Sequence, residues 1–342
     1  MSKTNFNPKS ITKILVSPLN DRTRDIISLR YGLGQSADRK TLEAIGQNYG
    51  ITRERIRQLE NFALKSIRQN KNFERASDVF GELKDIISSK GVLLSEDEIL
   101  DLLAKDENIK NHIHFLLVLG DDFKKFKEDD EFYHRWTVDE ARADLIHDFL
   151  RKLYKEVEKE NAIPEKEFMA LAQSNAKDIL KEKILEEVIL SWLKISKLID
   201  RNALGEWGPV YSEYIKPRGV RDLAFLVFRK SGSPLHFTEV ANSILNTFSK
   251  EAHPATVHNE LIKDPRFVLV GRGIYALKDW GYSEGTVRDI IKNILKADEY
   301  LPKEDIIKKV LKERYVKENT ILVNLQNRRY FRRNSNGTYS LL

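Results

Sequence analysis

The sequence contains no cysteine, which excludes disulfide bonds, thiolate metal ligands and a cysteine nucleophile. It has no apolar run near the ~18 residues that a membrane-spanning helix needs. The segment HFLLVLG at 114–120 is too short and is interpreted as core. The opening residues MSKTNFNPKS lack the apolar segment of a secretory signal peptide. These absences predict a soluble, cytoplasmic protein that does not contact a membrane.

The motifs of common enzymes are also absent. There is no GxxxxGK[ST] phosphate loop, no GxGxxG and no HExxH, and the seven histidines are scattered along the chain. His112 and His114 are two positions apart in an apolar helix, so their side chains point to different sides. Acidic pairs such as Asp121–Asp122 are interpreted as solvated loop residues. We therefore predict no enzymatic activity, no catalytic residues, no cofactor or metal and no small-molecule substrate.

The composition permits a nucleic-acid partner without demanding one. The 342 residues suffice for several domains, and 41% hydrophobic residues can fill ordinary cores. Lys and Arg number 58 against 52 Asp and Glu, a net charge of +6. Because this excess is modest, the distribution of charge along the chain decides more than its total.

Residues 41–69, TLEAIGQNYGITRERIRQLENFALKSIRQ, have the signals of two helices joined by a tight turn. Thr41 begins the first helix, whose inward residues are Leu42, Ile45 and Tyr49. Gly50 suits the left-handed residue that ends a helix, and Thr52 suits the cap of the next. Gly46 stands where a close helix crossing would need a small residue.

The second helix of this pair has one apolar face and one charged face. Its apolar residues recur every three or four positions: Ile56, Leu59, Ala63 and Ile67. The opposite face includes Arg53, Glu54, Arg57 and Gln58. The pattern predicts a helix-turn-helix whose second helix enters a DNA major groove.

This segment resembles region 4 of the sigma-70 family of bacterial transcription initiation factors, and DRTRDIISLRYGLG at 21–34 resembles the first helices of that region. The resemblance implies reading of a −35-like promoter element in double-stranded DNA and contact with the β-flap of RNA polymerase. It implies base-reading roles for Arg53, Glu54 and Gln58, and phosphate contacts for Thr41, Arg55 and Arg57. Independently, Arg pairs with guanine, Gln with adenine and Glu with cytosine. A departure is Phe62, where the family often has a basic residue.

The remaining chain divides by pattern into four segments, after a first domain at 1–75 that begins with a polar arm and a short apolar piece, 11–16. Residues 76–138 combine three helices with a terminal hairpin, as a winged helix does. Residues 139–219 fit either a winged helix or a helical spacer with a short ribbon. Residues 220–282 and 283–342 each predict a winged helix with a two-stranded wing.

Residues 220–282 resemble the HARE-HTH module and the N-terminal domain of the RNA polymerase delta subunit. The shared features are PLHFTEVA at 234–241, DPRF at 264–267 and GRGIYAL at 271–277. The next segment repeats this one: Val220-Arg221-Asp222 matches Val287-Arg288-Asp289, and Tyr211, Tyr275 and Tyr339 are spaced by 64 residues. We predict that each tyrosine packs its own wing onto its own helices.

The last segment contains the densest basic run, NRRYFRRNSNG. A wing tip that contacts DNA phosphate and a merely solvated turn both fit its four arginines, Arg328, Arg329, Arg332 and Arg333. Strand alternation prevents Tyr330 and Phe331 from both lying in the core of a regular strand. In KKFKEDDEF at 124–132 acid cancels base, so we expect no DNA contact there.

We therefore predict a mainly α-helical protein with an N-terminal helix-turn-helix followed by tandem winged-helix domains. The predicted function is a sequence-specific DNA-binding transcription factor that regulates initiation, with RNA polymerase as a partner. Two alternatives stay open: a delta-like polymerase subunit that binds mainly protein, and a DNA-recognition subunit of a restriction or defence system.

Overall fold

The computed structural model describes residues 5–342, and in that range the chain is mainly α-helical with small three-stranded antiparallel sheets. This confirms the predicted fold class. The chain forms two compact units, one of residues up to 200 with 207–210 and one of 201–206 with 211–342. Within the described range, no helix has the length and apolar character to cross a membrane.

The N-terminal helix-turn-helix consists of α1 (Pro8–Val16), α2 (Asp21–Tyr31), α3 (Leu42–Tyr49) and α4 (Arg53–Arg68), followed by the short α5 (Lys71–Glu74). The polar arm predicted before residue 20 is wrong for Pro8–Val16, which form α1, while residues 1–4 of that arm lie outside the described range. Asn7 caps α1 by accepting hydrogen bonds from two backbone amides, and Pro8 occupies its first turn. Thr12 on α1 lies 2.5 Å (Oγ1 to Nδ1) from His112 of a later helix, so tertiary contact supports this short helix.

The turn between α3 and α4 has the predicted geometry. Thr41 and Thr52 cap α3 and α4 through their side-chain oxygens, and Gly50 has the left-handed φ of 62°. A Cβ on Gly46 would lie 2.6 Å from the carbonyl oxygen of Ile51 in the turn, so the close approach of α3 to this turn requires glycine. A small core of Ile26, Ile45 and Ile56 holds α2, α3 and the first half of α4 together.

The first winged unit consists of α6 (Ser77–Ser89), β1 (Leu93–Ser95), α7 (Glu96–Leu103), α8 (Glu107–Leu119), β2 (Lys124–Phe126) and β3 (Arg135–Thr137), with sheet order β1-β3-β2. Its core is continuous with that of the helix-turn-helix. Leu15, Ala63 and Ile67 belong to the same buried cluster as Leu116 and Trp136. The side chain of Arg68 also donates to the backbone carbonyls of Val118 and Leu119.

The second winged unit has the same order of elements: α9 (Glu140–Val157), β4 (Ile163–Pro164), α10 (Glu165–Leu180), α11 (Glu186–Leu193), β5 (Ile199–Arg201) and β6 (Glu206–Pro209), with sheet order β4-β6-β5. Trp207 of β6 stacks on Phe168 of α10, with the ring planes 7° apart. The segment is therefore built as a winged helix and not as a spacer with a ribbon.

The third and last winged units repeat this order again. The third has α12 (Val220–Ser231), β7 (Leu235–His236), α13 (Phe237–Phe248), α14 (Pro254–Lys263), β8 (Phe267–Gly271) and β9 (Ile274–Leu277), with sheet order β7-β9-β8. The last has α15 (Val287–Ala297), β10 (Leu301–Pro302), α16 (Lys303–Glu313), α17 (Glu318–Leu325), β11 (Phe331–Arg333) and β12 (Thr338–Leu341), with sheet order β10-β12-β11.

Two details of these units differ from the sequence predictions. Each sheet has a third, very short strand before the second helix, where only a two-stranded wing was predicted. Tyr275 and Tyr339 occupy equivalent places on β9 and β12, paired with Leu235 and Leu301. Tyr211 lies outside the strands and is exposed, so its predicted packing role is wrong. In the second unit the aromatic residue on the central strand, β6, is Trp207 and not a tyrosine.

Candidate nucleic-acid interface

Helix α4 presents a polar face at its N-terminal half. At 3.6 residues per turn, Arg53, Glu54, Arg57 and Gln58 share that face, with Arg55 at its edge. All five side chains are exposed, whereas Ile56 is fully buried and Leu59 partly buried. The structure thus brings together the three residues predicted to read bases and two of those predicted to contact phosphate.

Four of these side chains are paired with each other along the helix. Arg57 forms two hydrogen bonds to the Glu54 carboxylate, of 2.9 and 2.7 Å, and Arg55 donates to the Gln58 carbonyl over 3.1 Å. The hydrogen bonds with Arg57 hold the pKa of Glu54 below its usual value and raise that of Arg57. Exposed pairs of this kind contribute little to stability, so exchanging them for a ligand costs little.

Arg53 differs from its neighbours because its side chain forms neither a hydrogen bond nor an ion pair with a described residue. Its guanidinium is thus available at the first position of α4, next to the positive end of the helix dipole. Thr41 stands at the start of α3, where its hydroxyl oxygen accepts from the Ala44 amide over 3.1 Å. Its hydroxyl proton is still available to a phosphate oxygen. Phe62, the departure from the family pattern, is 62% exposed.

The four arginines predicted as wing contacts belong to the last winged unit, and all are exposed. Only Arg332 and Arg333 lie on a wing strand, β11. Arg328 and Arg329 lie in the turn between α17 and β11, so their predicted place at the wing tip is wrong. The strand begins at Phe331, which is buried, while Tyr330 before it is only partly buried. This start resolves the conflict that strand alternation posed for the two aromatic residues.

Sequence reasoning missed two further cations beside this turn. The Arg288 guanidinium carbon lies 4.8 Å and the Lys292 ammonium 4.3 Å from the centre of the Tyr330 ring. Both come from α15, four residues apart and so on one helix face. The i, i+4 spacing was a signal, but nothing local to residues 328–333 shows that α15 packs against them.

Several cations of the first and third winged units are paired with carboxylates. In the first unit Lys125 contacts Glu96 at 2.5 Å and Lys124 contacts Glu140 at 3.4 Å, which agrees with the charge cancellation predicted there. In the third unit Arg266 binds three carboxylates, those of Asp264, Asp222 and Glu213, at 2.6 to 3.0 Å. These cations stabilise the protein itself and are not free to bind phosphate.

The two histidines of α8 serve packing. Burial lowers the pKa of His112 to about 4, and burial also lowers the pKa of His114 despite the nearby Glu96 carboxylate. His114 stacks edge-on against Trp136, and His112 faces Thr12. Both are neutral at pH 7. Among residues 5–342, no group of three His, Asp or Glu side chains is arranged to hold a metal ion.

Helices α3 and α4 are each capped by a threonine and are joined by a turn that contains glycine, and α4 has a polar face rich in cations. These features define a helix-turn-helix of the DNA-binding class. Comparison with known families places it more narrowly: the family model for sigma-70, region 4, matches residues 15–69. The region 4 resemblance of this segment is therefore confirmed, while the HARE-HTH and delta resemblance of residues 220–282 stays a prediction.

Relatives that match this segment are bacterial sigma factors. RNA polymerase sigma factor SigA1 of Synechococcus elongatus is 51% identical over 59 residues, 17% of this chain and 14% of the relative. SigA of a Nostoc species is 48% identical over 69 residues, 20% and 17% of the two chains. The principal sigma factor HrdD of Streptomyces griseus is 46% identical over 55 residues, 16% of each. The chain thus spans at most about a sixth of these relatives' length.

Proposed function

We propose that this protein is a sequence-specific double-stranded DNA-binding transcription factor that reads a −35-like element and regulates initiation together with RNA polymerase. The observation that carries the proposal is the exposed polar face of α4 on a helix-turn-helix that matches sigma-70 region 4. Bacterial sigma factors match the same residues, which supports both DNA and polymerase as partners.

In this proposal the residues of α4 have separate roles. Arg53 bonds guanine through its unpaired guanidinium, and Glu54 and Gln58 exchange their partners on the helix for base edges. Thr41, Arg55 and Arg57 fix the helix on the duplex by contacting phosphates, which positions the readers without adding sequence information. The close contact of Gly46 with the turn before α4 fixes α3 against α4, and so fixes the base-reading and phosphate-binding residues relative to each other.

Polymerase contact is the second part of the proposal, and we assign it to the β-flap by analogy with sigma region 4. With the DNA contact of α4, this polymerase contact would make the protein a regulator of initiation.

Selection of binding sites from a random duplex library tests the proposal, with the full chain alone and with RNA polymerase. We expect a motif that resembles TTGACA from the chain alone. Enrichment only with polymerase would favour an accessory subunit similar to delta. Lack of enrichment in both arms would remove the DNA-reading role, and co-purification with a nuclease or methyltransferase would favour a defence subunit.

The variants Arg53→Ala and Arg55→Ala form a matched pair on one helix. Arg53→Ala should cost roughly 1–3 kcal/mol on the selected site and relax the base preference at one position. Arg55→Ala should weaken selected and random duplexes alike, because a phosphate contact is blind to sequence. Quantitative binding at fixed salt measures both. Equal loss on both duplexes for Arg53→Ala would make Arg53 a phosphate contact.

A further inference from the structure

The third and last winged units can be aligned position by position through their strand pairing. Phe267 pairs with Leu277 in the third unit, and Phe331 pairs with Leu341 in the last, a constant offset of 64 residues. Residues 264–269, DPRFVL, therefore occupy the same backbone positions as residues 328–333, RRYFRR. This short segment is neutral in the third unit, where Asp264 balances Arg266, and contains four arginines and no acid in the last.

The first helix of each unit changes in a complementary way. Counting from Val220 and Val287, Phe225 of α12 corresponds to Lys292 of α15. In the third unit the Arg266 guanidinium carbon lies 4.7 Å from the centre of the Phe225 ring. In the last unit Lys292 lies 4.3 Å from the centre of the Tyr330 ring. The cation and the aromatic ring have exchanged places between helix and turn.

The carboxylates that neutralise this position in the third unit are missing or redirected in the last. Arg328 replaces Asp264, and Asp289, which corresponds to Asp222, bonds Thr286 at the start of α15. Six cations of α15 and of residues 328–333 form no ion pair with any described residue, and two of them, Arg288 and Lys292, lie over the Tyr330 ring. The other four are Arg328, Arg329, Arg332 and Arg333. The Nε of Arg288 is buried and has no hydrogen-bond partner among the described residues.

Because the third unit folds with DPRFVL in this segment, the fold itself does not require the four arginines of RRYFRR. Concentrated like charge without counter-charge is unfavourable in a free protein, so its presence indicates a ligand that supplies negative charge. Five of the six are arginines, whose planar fork matches phosphate oxygens. This composition favours a polyphosphate backbone over an acidic protein surface.

We propose that these six cations and Tyr330, which we call the α15–β11 surface, bind the phosphate backbone of duplex DNA without reading its sequence. Helix α17, the third helix of this unit, contains no basic residue in ENTILVNL, so the contact is made by the first helix and the wing base. The choice of duplex DNA rests on the proposed function of α4.

Through its own phosphate contacts, the α15–β11 surface raises affinity for every duplex and makes binding strongly dependent on salt, while α4 alone sets the sequence preference. Each arginine that neutralises a phosphate releases about one counterion, which steepens the dependence of log K on log salt concentration by about one.

The test compares two full-chain variants with the same change in net charge. In the first, Arg328, Arg329, Arg332 and Arg333 are replaced by Ala; in the second, the exposed lysines Lys296, Lys303, Lys308 and Lys312 are replaced by Ala. On a random 40-base-pair duplex, the first variant should bind at least about tenfold more weakly, with a salt slope smaller by roughly 3 to 4. The second should stay within about twofold of the parent protein.

Equal losses in the two variants would show a general effect of net charge and overturn the proposal, as would unchanged binding in the first. If the fourfold variant is misfolded by circular dichroism, Arg332→Gln with Arg333→Gln should lower the salt slope by about 2. Failure of α4 to select any sequence would instead remove the proposed function. The random duplex removes the contribution of base reading, and the phosphate contacts proposed for Thr41, Arg55 and Arg57 are the same in the two variants.

Discussion

The third and last winged units pack the turn before their first wing strand against their first helix with the cation and the aromatic ring exchanged. In the third, Arg266 is drawn inward by three carboxylates and covers Phe225, so the junction of turn and helix is a closed ionic network. In the last unit, Tyr330 occupies the position that corresponds to Arg266, and Arg288 and Lys292 of α15 lie over its ring. Strand register and helix order are the same in both. The comparison shows that this fold forms with different charges where the turn meets the first helix. The residues at this position can therefore serve either the stability of the unit or the binding of a ligand.

The largest loss of stability is expected when Arg266, the cation at the centre of the ionic network in the third unit, is removed. Arg266→Ala leaves Asp222, whose side chain is 2% exposed, and Asp264, at 8%, without their cation. Removing one partner of a buried pair costs about 3–5 kcal/mol, and we expect about 2–4 here because Arg266 is partly exposed. Hydrogen exchange of the full chain should show lost protection in α12, α13 and α14.

The control is Tyr330→Ala in the last unit, which removes a side chain from the same position without leaving a buried charge. Protection of α15, α16 and α17 should fall much less. Equal loss in the two units would mean that the network around Arg266 contributes no more than an aromatic contact, and the comparison would fail.

Acidification should produce a smaller effect of the same kind. Burial alone would raise the pKa of Asp264, but its hydrogen bonds from Arg266 hold that pKa below the usual value. A carboxyl whose pKa is depressed by folding stabilises the protein above its unfolded pKa of about 3.9, and this stabilisation is lost as the pH falls through the folded pKa. Protection of the third unit should therefore decline below about pH 4.

The last unit also contains a carboxyl with a depressed pKa, that of Asp289, held by hydrogen bonds from Thr286. Because that capping pair is near the surface, its contribution should be smaller. Hydrogen exchange measured at several pH values, corrected for intrinsic rates, compares the units within one molecule. A steeper acid loss in the last unit would contradict the assignment.

The smallest effect is expected for Tyr330→Leu. An exposed cation–π contact contributes roughly 0.5–1 kcal/mol, and leucine retains part of the apolar packing. The free energy of unfolding should change by no more than about this amount, as measured by protection of α15. A loss that approaches that of Arg266→Ala would show that Tyr330 is a core residue of its unit.

Local signals in the sequence predicted the helix-turn-helix well, because its geometry depends on single residues. Gly46, Gly50 and Thr52 each do what their chemistry indicates, and the family comparison bears out the resemblance. The roles of Arg53, Glu54 and Gln58 in reading bases stay predictions. The hydrogen bonds of Glu54 with Arg57 and of Gln58 with Arg55 could not be predicted from the sequence, because the rotamers of exposed side chains depend on competition among several partners.

Other features were missed because their causes are not local. Helix α1 has nine residues and depends on packing against α8, which sequence periodicity cannot show. The strands β4, β7 and β10 have two residues each and exist only through pairing with a distant strand. Arg288 and Lys292 join Tyr330 across some forty residues, so a basic run in the sequence revealed four of the six cations.

The shared core of the helix-turn-helix and the first winged unit has a practical consequence for work with fragments. A fragment cut at residue 75, the predicted end of the first domain, would expose Leu15, Ala63 and Ile67 to water and remove the carbonyls that Arg68 bonds. Such a fragment would be prone to aggregate and to proteolysis. Ending the fragment at Thr137 keeps this cluster whole but exposes Leu93 and Phe132, which are buried in one cluster with Trp192 and Trp207. A fragment of the DNA-reading end suited to expression, crystallisation or NMR must therefore extend through the second winged unit.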